Sequence, residues 1–197
     1  MFYEPKSGHP LPHNPFKACV APRPIGWIAT VSRDGIVNLA PFSYFNAVLD
    51  DPPTVMFSAS GAHLEGPIKD SALNAKETGE FVYNMATWDL RQQMNQTSAS
   101  VPRSVDEFEL AQLEKAPSIV VKPPRVAQSP VQFECRTIKV LELSPINTVV
   151  FGEVVGIHID ERILTNGRID LTKAMPIARC GYMDYAVVRE IFEMSRP

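Results

Sequence analysis

The stretch that decides the fold is RPIGWIATVSRDGIVNLAPFSYFN, residues 23–46. Residues 25–31 are strand formers, Asp34-Gly35 suits a tight hairpin turn, and residues 36–39 begin the return strand. A hairpin that only fills a core does not need the small hydroxyl and amide side chains found among these apolar residues, which are Thr30, Asn38, Ser43 and Asn46. The stretch therefore predicts a β-hairpin with polar groups at its strand ends.

Length and composition indicate one globular domain. The chain has 197 residues, of which 45% are hydrophobic and 21% charged, enough to bury a core. Nineteen basic and 22 acidic residues give a formal charge of −3, which offers no electrostatic footprint for DNA or RNA. No apolar run reaches the roughly 18 residues of a membrane span, and the proline-rich start does not fit a signal peptide. We expect a cytoplasmic protein with neither a nucleic-acid nor a membrane partner.

Cysteine and histidine spacing indicates no metal site. Cys19, Cys135 and Cys180 are far apart and form no C-x-x-C pair, so we expect reduced, mostly buried thiols. Prolines beside His9 and His13 prevent a helix that would place both imidazoles on one face. We predict an ordinary proline-rich arm over residues 1–17, one domain over residues 18–188 and a tail over residues 189–197.

The remainder of the chain predicts a mainly β fold with a few helices. A helix capped by Asp70 or Ser71 is expected to stop at Gly79, with shorter helical stretches around residues 90–94 and 108–113. Six or more short antiparallel strands favour a closed or partly closed barrel, because closure removes exposed edges. The further predicted strands are 54–59, 80–85, 131–143, 148–159 and 182–188, of which the last could close the sheet.

Several common chemistries are excluded by the absence of their motifs. The ten glycines form neither G-x-G-x-x-G nor G-x-x-x-x-G-K-[ST], which argues against a Rossmann domain and a P-loop. G-x-S-x-G and H-E-x-x-H are also missing, so a serine hydrolase or zinc protease has no support. What remains is a dense set of hydroxyl, amide and basic side chains in residues 30–71.

Such a set suits a flat heteroaromatic ring with a phosphate tail. Short polar side chains at strand ends can match the hydrogen-bonding edge of a flavin without burying a charge. A phosphate needs donors and a cation, which Ser58, Ser60, Lys69 and the start of the helix after Lys69 can supply. On these residues alone the alternative stays open that both serines are ordinary strand-end residues and Lys69 is solvated.

The order of motifs resembles the flavin reductase-like family, which binds FMN in a split barrel. The resemblance covers roughly residues 18–187 and is carried by these residues: Arg23-Pro24, Thr30, Gly35, Asn38 with Ala40-Pro41 and Ser43, Asp51-Pro52-Pro53, Lys69-Asp70-Ser71, Thr78 to Val82, Asp106-Glu107-Phe108, Phe133 to Cys135 and Gly152 to Val155. The resemblance implies a six-stranded antiparallel Greek-key barrel that forms a homodimer, with FMN near the subunit interface.

The resemblance also implies roles for individual residues. The flavin ring would be contacted by Thr30, Ser43, Tyr44, Phe45 and Asn46. The ribityl phosphate would be held by Ser58, Ser60, Lys69, Asp70 and Ser71. Leu49 stands where a small polar residue is common in the family, and would make the flavin pocket drier if it faced the ring. Arg23 and Arg179 are candidates for steering a dinucleotide phosphate, with a plain surface role as the alternative.

Three functions are compatible with this sequence. The first is an NAD(P)H-dependent flavin reductase that transfers hydride from NAD(P)H to FMN and serves a redox partner protein such as a monooxygenase. The second is an FMN electron carrier of the flavoredoxin type, which is not itself an enzyme. The third is an FMN enzyme acting directly on a small organic substrate. The first is favoured, and it needs no catalytic acid or base because hydride transfer belongs to the cofactors.

Overall fold

A computed structural model of the chain describes residues 1–196, in which antiparallel strands dominate. The strands are β1 (Arg23–Pro24), β2 (Gly26–Val31), β3 (Val37–Phe42), β4 (Phe45–Asp50), β5 (Pro53–Ser60), β6 (Glu80–Met85), β7 (Lys115–Ala116), β8 (Arg125–Val126), β9 (Val131–Ser144), β10 (Asn147–Ile159), β11 (Leu164–Thr165), β12 (Arg168–Ile169), β13 (Ile177–Gly181) and β14 (Asp184–Val187). The α-helices are α1 (Phe16–Cys19), α2 (Asp70–Thr78), α3 (Arg91–Gln96), α4 (Glu107–Leu110) and α5 (Leu171–Ala174). Of the tail predicted over residues 189–197, residue 197 lies outside the described residues.

The main sheet has seven strands in the order β3-β2-β6-β9-β10-β5-β4, and every neighbouring pair is antiparallel. Its two edge strands, β3 and β4, are separated in the chain by Ser43 and Tyr44 alone. Because a two-residue link cannot span an open sheet, the sheet must curl until its edges approach each other. The result is a split barrel, which confirms the predicted mainly β fold class.

The sheet buries side chains on both faces. Along β2, Ile28 points to the core inside the barrel, whereas Trp27 and Ala29 belong to a second core outside it, as the two-residue period of a strand requires. The inner core is tightly filled: a Cβ added to Gly152 would lie 2.3 Å from Phe81 Cε1. The second core is covered by α3, α4 and the segments around them.

Most predicted elements are present, and the differences have physical reasons. The hairpin of residues 23–46 forms β2 and β3 as expected. The predictions missed β4, an edge strand whose residues 46–50 are all exposed and show no buried face to give an alternating pattern. The segment 182–188, which was expected to close the sheet, instead contributes β14 to a separate sheet of order β1-β13-β14.

Helix α2 begins at the residues that were predicted to hold the phosphate. Its C-cap is Gly79, whose φ of 77° is in the left-handed region that glycine tolerates without strain. At its other end the N-cap is Lys69, and no side chain caps the helix. The predicted capping role of Asp70 or Ser71 is therefore wrong, and the first amides of α2 are left open.

Two further observations concern the chain as a whole. Within residues 1–196, no helix has both the length and the apolar character needed to cross a membrane. The cysteines are free thiols, with Cys135 buried, Cys180 half-buried and Cys19 exposed.

Candidate functional site

A cavity of about 310 Å³ opens where the β3–β4 link, the end of β5, the start of α2 and the loop 97–101 meet. Its volume is within the range of roughly 300 to 1,000 Å³ typical of small-molecule sites. Seven of the ten predicted site residues line this cavity: Ser43, Tyr44, Ser58, Ser60, Lys69, Asp70 and Ser71. Predicted residues from three separate parts of the chain are thus brought together.

Three predicted site residues do not line the cavity. Thr30 is fully buried in β2 and accepts a hydrogen bond from Asn74 Nδ2 at 3.0 Å. Phe45 points into the barrel, where it stacks on Tyr83 with ring centroids 4.6 Å apart. Asn46 is exposed on β4, and its side chain accepts a hydrogen bond from Ala47 N at 3.0 Å.

One end of the cavity is built to receive an anion. The ammonium group of Lys69 makes no ion pair with any carboxylate in the described part of the chain. Helix α2 begins directly after Lys69, and its uncapped N-terminal amides lie beside the same cavity. The hydroxyl groups of Ser58 and Ser60 add two further donors. A cation, backbone amides and hydroxyls together are the donor set that a phosphate group needs.

Asp70 also lines this end, but nearby groups offset its charge. Its carboxylate lies 3.2 Å from His63 Nε2 and 3.3 Å from Arg103 Nε. Burial raises the pKa of Asp70, and the nearby His63 and Arg103 oppose that rise. His63 Nε2 also lies 3.0 Å from the carbonyl oxygen of Val101, so the same ring ties loop 97–101 to α2. We assign this cluster to holding the cavity wall.

A buried polar network at the back of the cavity was missed as part of the site. Asn38 donates from Nδ2 to Glu107 Oε1 at 2.9 Å, and Leu39 N donates to Glu107 Oε2 at 3.0 Å. Ser71 Oγ donates to Asn38 Oδ1 at 2.6 Å. Burial raises the pKa of Glu107 to about 7, against the lowering effect of these hydrogen bonds. Asn38 was counted among the polar side chains of the hairpin and Glu107 only as part of a motif, and no local pattern signals that they meet.

Two other parts of the lining were missed. Lys17, in the short helix α1, contributes an exposed cation from the segment that was predicted to be an arm. The loop 97–101 forms another wall, although its sequence indicates only a break between helices. This loop is fixed to the sheet by Thr97, whose Oγ1 accepts a hydrogen bond from Trp27 Nε1 at 2.9 Å.

The two arginines considered for phosphate steering have other partners. Arg23 is buried, and its guanidinium donates to the carbonyl oxygens of Lys17 and Val20. It therefore ties the α1 segment to the domain instead of facing solvent. Arg179 lies over the ring of Tyr185, with its guanidinium carbon 4.5 Å from the ring centroid. Neither arginine lines the cavity.

The position of Leu49 differs from the hypothesis that it faces a flavin. It is 53% exposed on the edge strand β4 and does not line the cavity. A drier pocket therefore cannot be attributed to it in a single chain.

The arrangement as a whole suits binding more than acid-base or metal chemistry. Within residues 1–196, no group of three or more His, Cys, Asp or Glu side chains could hold a metal ion. The cavity instead combines an anion-binding end, a polar rear wall and an aromatic residue, Tyr44. An elongated ligand with a phosphate, a hydroxyl-bearing chain and a flat ring would match these three parts.

Comparisons with known proteins agree with this geometry. The family described as "Flavin reductase like domain" matches residues 19–175. An uncharacterized protein of Aquifex aeolicus is 41% identical over 163 residues, which cover 82% of each chain. The crystal structure of nitrilotriacetate monooxygenase component B from Bacillus cereus is 31% identical, covers 98% of both chains and superimposes with a TM-score of 0.87. That of Pseudomonas fluorescens 2-nitrobenzoate 2-nitroreductase is 26% identical, covers 92% of this chain and 88% of its own, and has a TM-score of 0.82.

Proposed function

The chain belongs to the flavin reductase-like domain family, and on that premise we propose that it binds FMN and transfers hydride from NAD(P)H to the flavin. The observation that carries the proposal is the ammonium of Lys69, which makes no ion pair within the described residues, beside the open amides of α2, in a cavity that also contains hydroxyl donors and an aromatic side chain. FMN carries matching groups, namely a phosphate, a hydroxyl-bearing chain and a flat ring.

The residues of the cavity have distinct roles in this proposal. Lys69, Ser58 and Ser60 hold the phosphate, because a dianion there gains charge-assisted hydrogen bonds. We assign Ser43 and Tyr44, which form the two-residue link between the edge strands and line the cavity, to the ring. In this proposal the exposed Asn46 reaches the ring across a subunit interface, whereas the buried Thr30 and Phe45 support the cavity from behind.

Bound FMN would supply the acceptor for a hydride from reduced nicotinamide, so the protein needs no acid or base of its own. The chain's contribution is to hold the flavin at a fixed position and to leave one side of the cavity open for the second ligand. Lys17 is exposed at the cavity and suits the negatively charged part of a nicotinamide nucleotide.

The proposal extends to assembly and partners. Residues 46–50 of β4 are exposed on both faces of an edge strand, and they include the apolar side chains of Val48 and Leu49. An unpaired apolar edge of this kind favours association, and we propose that it contacts a second copy of the chain in a homodimer. A monooxygenase is the proposed acceptor of reduced flavin, by analogy with the relative named as a monooxygenase component. The three free thiols suit the reducing cytoplasm.

The proposed dimer can be tested by introducing one charged side chain on the edge strand β4. Leu49→Asp should convert dimer to monomer in size-exclusion chromatography with light scattering, because an aspartate cannot be buried unpaired at the interface. Ile119→Asp is the matched control, since Ile119 is also exposed but lies in a loop away from β4. A monomeric parent protein would contradict the dimer and leave the flavin proposal intact.

The reaction can be tested by mixing FMN-loaded protein anaerobically with NADH and, separately, with NADPH in a stopped-flow cell. Rapid bleaching of the flavin absorbance with either nucleotide is the expected result, and the faster of the two identifies the donor. A protein that binds FMN and stays yellow with both nucleotides would contradict the reductase. That outcome would favour the FMN electron carrier, which should then accept electrons from a reduced partner protein.

A further inference from the structure

The hydroxyl group of Ser71 has a fixed direction of hydrogen bonding in this structure: it donates to Asn38. Its oxygen lies 2.6 Å from Asn38 Oδ1, which as a carbonyl oxygen can only accept. A serine hydroxyl has one proton, so that proton is used on Asn38. Ser71 lines the cavity, and what it can offer a ligand there is an oxygen lone pair.

The orientation of the Asn38 amide is set by Glu107. The Nδ2 group of Asn38 is 2.9 Å from Glu107 Oε1, and a carboxylate accepts hydrogen bonds but donates none. The other carboxylate oxygen is held by Leu39 N at 3.0 Å, so Glu107 cannot turn away. With its nitrogen directed at Glu107, Asn38 must direct its oxygen at Ser71.

The same direction of hydrogen bonding extends to the side of the network away from the cavity. Asn74 Nδ2 donates to Thr30 Oγ1 at 3.0 Å, and Thr30 Oγ1 lies 3.4 Å from Asn38 Oδ1. All five side chains of the network are nearly or fully buried, so solvent does not compete for these hydrogen bonds. Each proton in the network therefore points toward Glu107.

Because Ser71 presents a lone pair and no proton to the cavity, it does not suit a phosphate oxygen. A phosphate dianion has only acceptor oxygens, and it would meet the lone pair of Ser71 without a proton between them. An alcohol O–H is a donor and matches that lone pair. Resting on the proposed function, we infer that Ser71 accepts a hydrogen bond from a ribityl hydroxyl of the flavin and does not bind its phosphate. Glu107 is the positioning residue that fixes this polarity through Asn38.

Several charged and titratable groups face Glu107 across the cavity. They are Lys17 on α1, His63 before α2, and Lys69 and Asp70 at the start of α2. On its own helix, Asp106 pairs with Lys115, and Glu109 is exposed to solvent. Strand β3, which packs against α4, contributes the neutral Asn38.

Protonation of Glu107 would reverse the direction of the hydrogen bonds from Glu107 through Asn38 to Ser71. A carboxylic O–H can donate to Asn38 Oδ1, which turns the amide and directs its NH₂ group at Ser71. Ser71 would then have its proton free for the cavity. With a pKa of about 7, Glu107 is ionised at pH 8.5 and mostly protonated at pH 5.5. The inferred contact therefore belongs to the alkaline side of this range.

Three flavins separate the parts of the ligand. Lumiflavin has the ring alone, riboflavin adds the ribityl chain, and FMN adds the phosphate. At pH 8.5, Ser71→Ala should lower the affinities for riboflavin and for FMN equally, by about five- to tenfold, as expected for the loss of one hydrogen bond. The affinity for lumiflavin should stay unchanged. Ser71→Thr keeps the hydroxyl and should restore both affinities. Ser60→Ala is the matched control at the phosphate end, and should weaken FMN alone.

The possible outcomes are distinguishable. If Ser71→Ala lowers the affinity for FMN and leaves that for riboflavin unchanged, Ser71 holds the phosphate and the inference is wrong. If it weakens lumiflavin to the same extent as the other two, Ser71 acts on the ring or on the fold, and the inference is also wrong. If the parent protein binds none of the three flavins, the proposed function itself has failed.

A second measurement isolates the positioning role of Glu107. Riboflavin carries no group that titrates between pH 5.5 and 8.5, so a pH dependence of its affinity must come from the protein. The parent protein's affinity for riboflavin should change by up to about tenfold between pH 5.5 and pH 8.5, because the ribityl hydroxyl must accept from Ser71 at the lower pH instead of donating to it. Glu107→Gln should flatten this profile, because the amide does not titrate. A profile that keeps its slope in Glu107→Gln would overturn the role assigned to Glu107.

Discussion

Two buried carboxylates, Glu107 on α4 and Glu134 on β9, have opposite properties. Glu134 accepts hydrogen bonds from three consecutive backbone amides, of residues 119–121, and lies 2.6 Å from His158 Nε2. Burial alone would raise its pKa, but these four partners lower it to about 2. Glu107 has one side-chain and one backbone donor, and its pKa is raised to about 7.

The difference in their hydrogen-bond partners and pKa values indicates a different role for each carboxylate. Glu134 is surrounded by donors, and its charge fastens loop 118–122 to the sheet. Glu107 has fewer donors and faces the cavity, which leaves it able to change protonation when a ligand binds. His158 is a structural histidine in this contrast, because its Nε2 atom is taken by Glu134.

The largest effect should come from removing the structural carboxylate. Glu134→Ala leaves three backbone N–H groups without their acceptor in a buried place, and should lower the free energy of unfolding by about 3 to 5 kcal/mol. Urea denaturation measures this change. Glu134→Gln keeps one carbonyl acceptor and should lose less. An Ala variant within 1 kcal/mol of the parent would show that the loop is held by other contacts.

The two carboxylates should give stability opposite dependences on pH. The folded-state pKa of Glu107 is raised from 4.5 to about 7, so its contribution is greatest below pH 4.5 and is lost as pH rises to 7. The loss is at most about 3 kcal/mol. We expect the parent protein to lose stability between pH 5 and 8 by up to that amount relative to Glu107→Gln, in urea titrations at each pH.

For Glu134 the sign is reversed. Its folded-state pKa is lowered from 4.5 to about 2, so its stabilising contribution is present above pH 4.5 and is lost as pH falls toward 2. Glu134→Gln should therefore differ most from the parent at neutral pH and least near pH 2. If the difference between Glu134→Gln and the parent grew as the solution was acidified, the contrast between the two carboxylates would be wrong.

A smaller effect is expected at the loop that walls the cavity. Loop 97–101 is attached to the sheet by one buried side-chain hydrogen bond, from Trp27 Nε1 to Thr97 Oγ1, whereas Glu134 binds its loop through three amides. Thr97→Val keeps the shape of Thr97 and leaves the indole N–H unpaired, at a cost of about 1 to 3 kcal/mol. Hydrogen exchange should accelerate in residues 97–101 and stay unchanged in residues 118–122. Equal acceleration in both loops would indicate a global loss of stability.

The smallest effect should come from an exposed ion pair. Lys76 Nζ lies 2.6 Å from Glu142 Oε1, and both side chains are about half exposed. Lys76→Ala should change the free energy of unfolding by less than about 1 kcal/mol, because water screens the pair. A loss as large as that of Glu134→Ala would mean that burial does not separate the two kinds of carboxylate.

Much of the fold and part of the site could be predicted from the sequence. The hairpin of residues 23–46 has a clear period and turn, and it forms β2 and β3. Ser43, Ser58 and Lys69 come together in the cavity because they stand at ends of elements that the sequence marks plainly. Strand β4 was missed because residues 46–50 have no buried face, so no alternation reveals it.

The rest of the site depends on contacts that no local pattern encodes. Thr30 was assigned to the ring because it ends a strand, but β2 is buried on both faces and Thr30 lies behind the cavity. Glu107 meets Asn38 across 69 positions of sequence, through the packing of α4 on β3. Its raised pKa follows from that burial, which the three-residue motif Asp106-Glu107-Phe108 cannot indicate.

The most direct test of the central claim is a titration of FMN and riboflavin into the parent protein and Lys69→Ala, followed by flavin fluorescence. If Lys69 holds the phosphate, the substitution should weaken FMN by about ten- to a hundredfold, the size of a charge-assisted hydrogen bond, and leave riboflavin nearly unchanged. Equal weakening of both flavins, or of neither, would contradict the assignment of this cavity as an FMN site with its phosphate at Lys69.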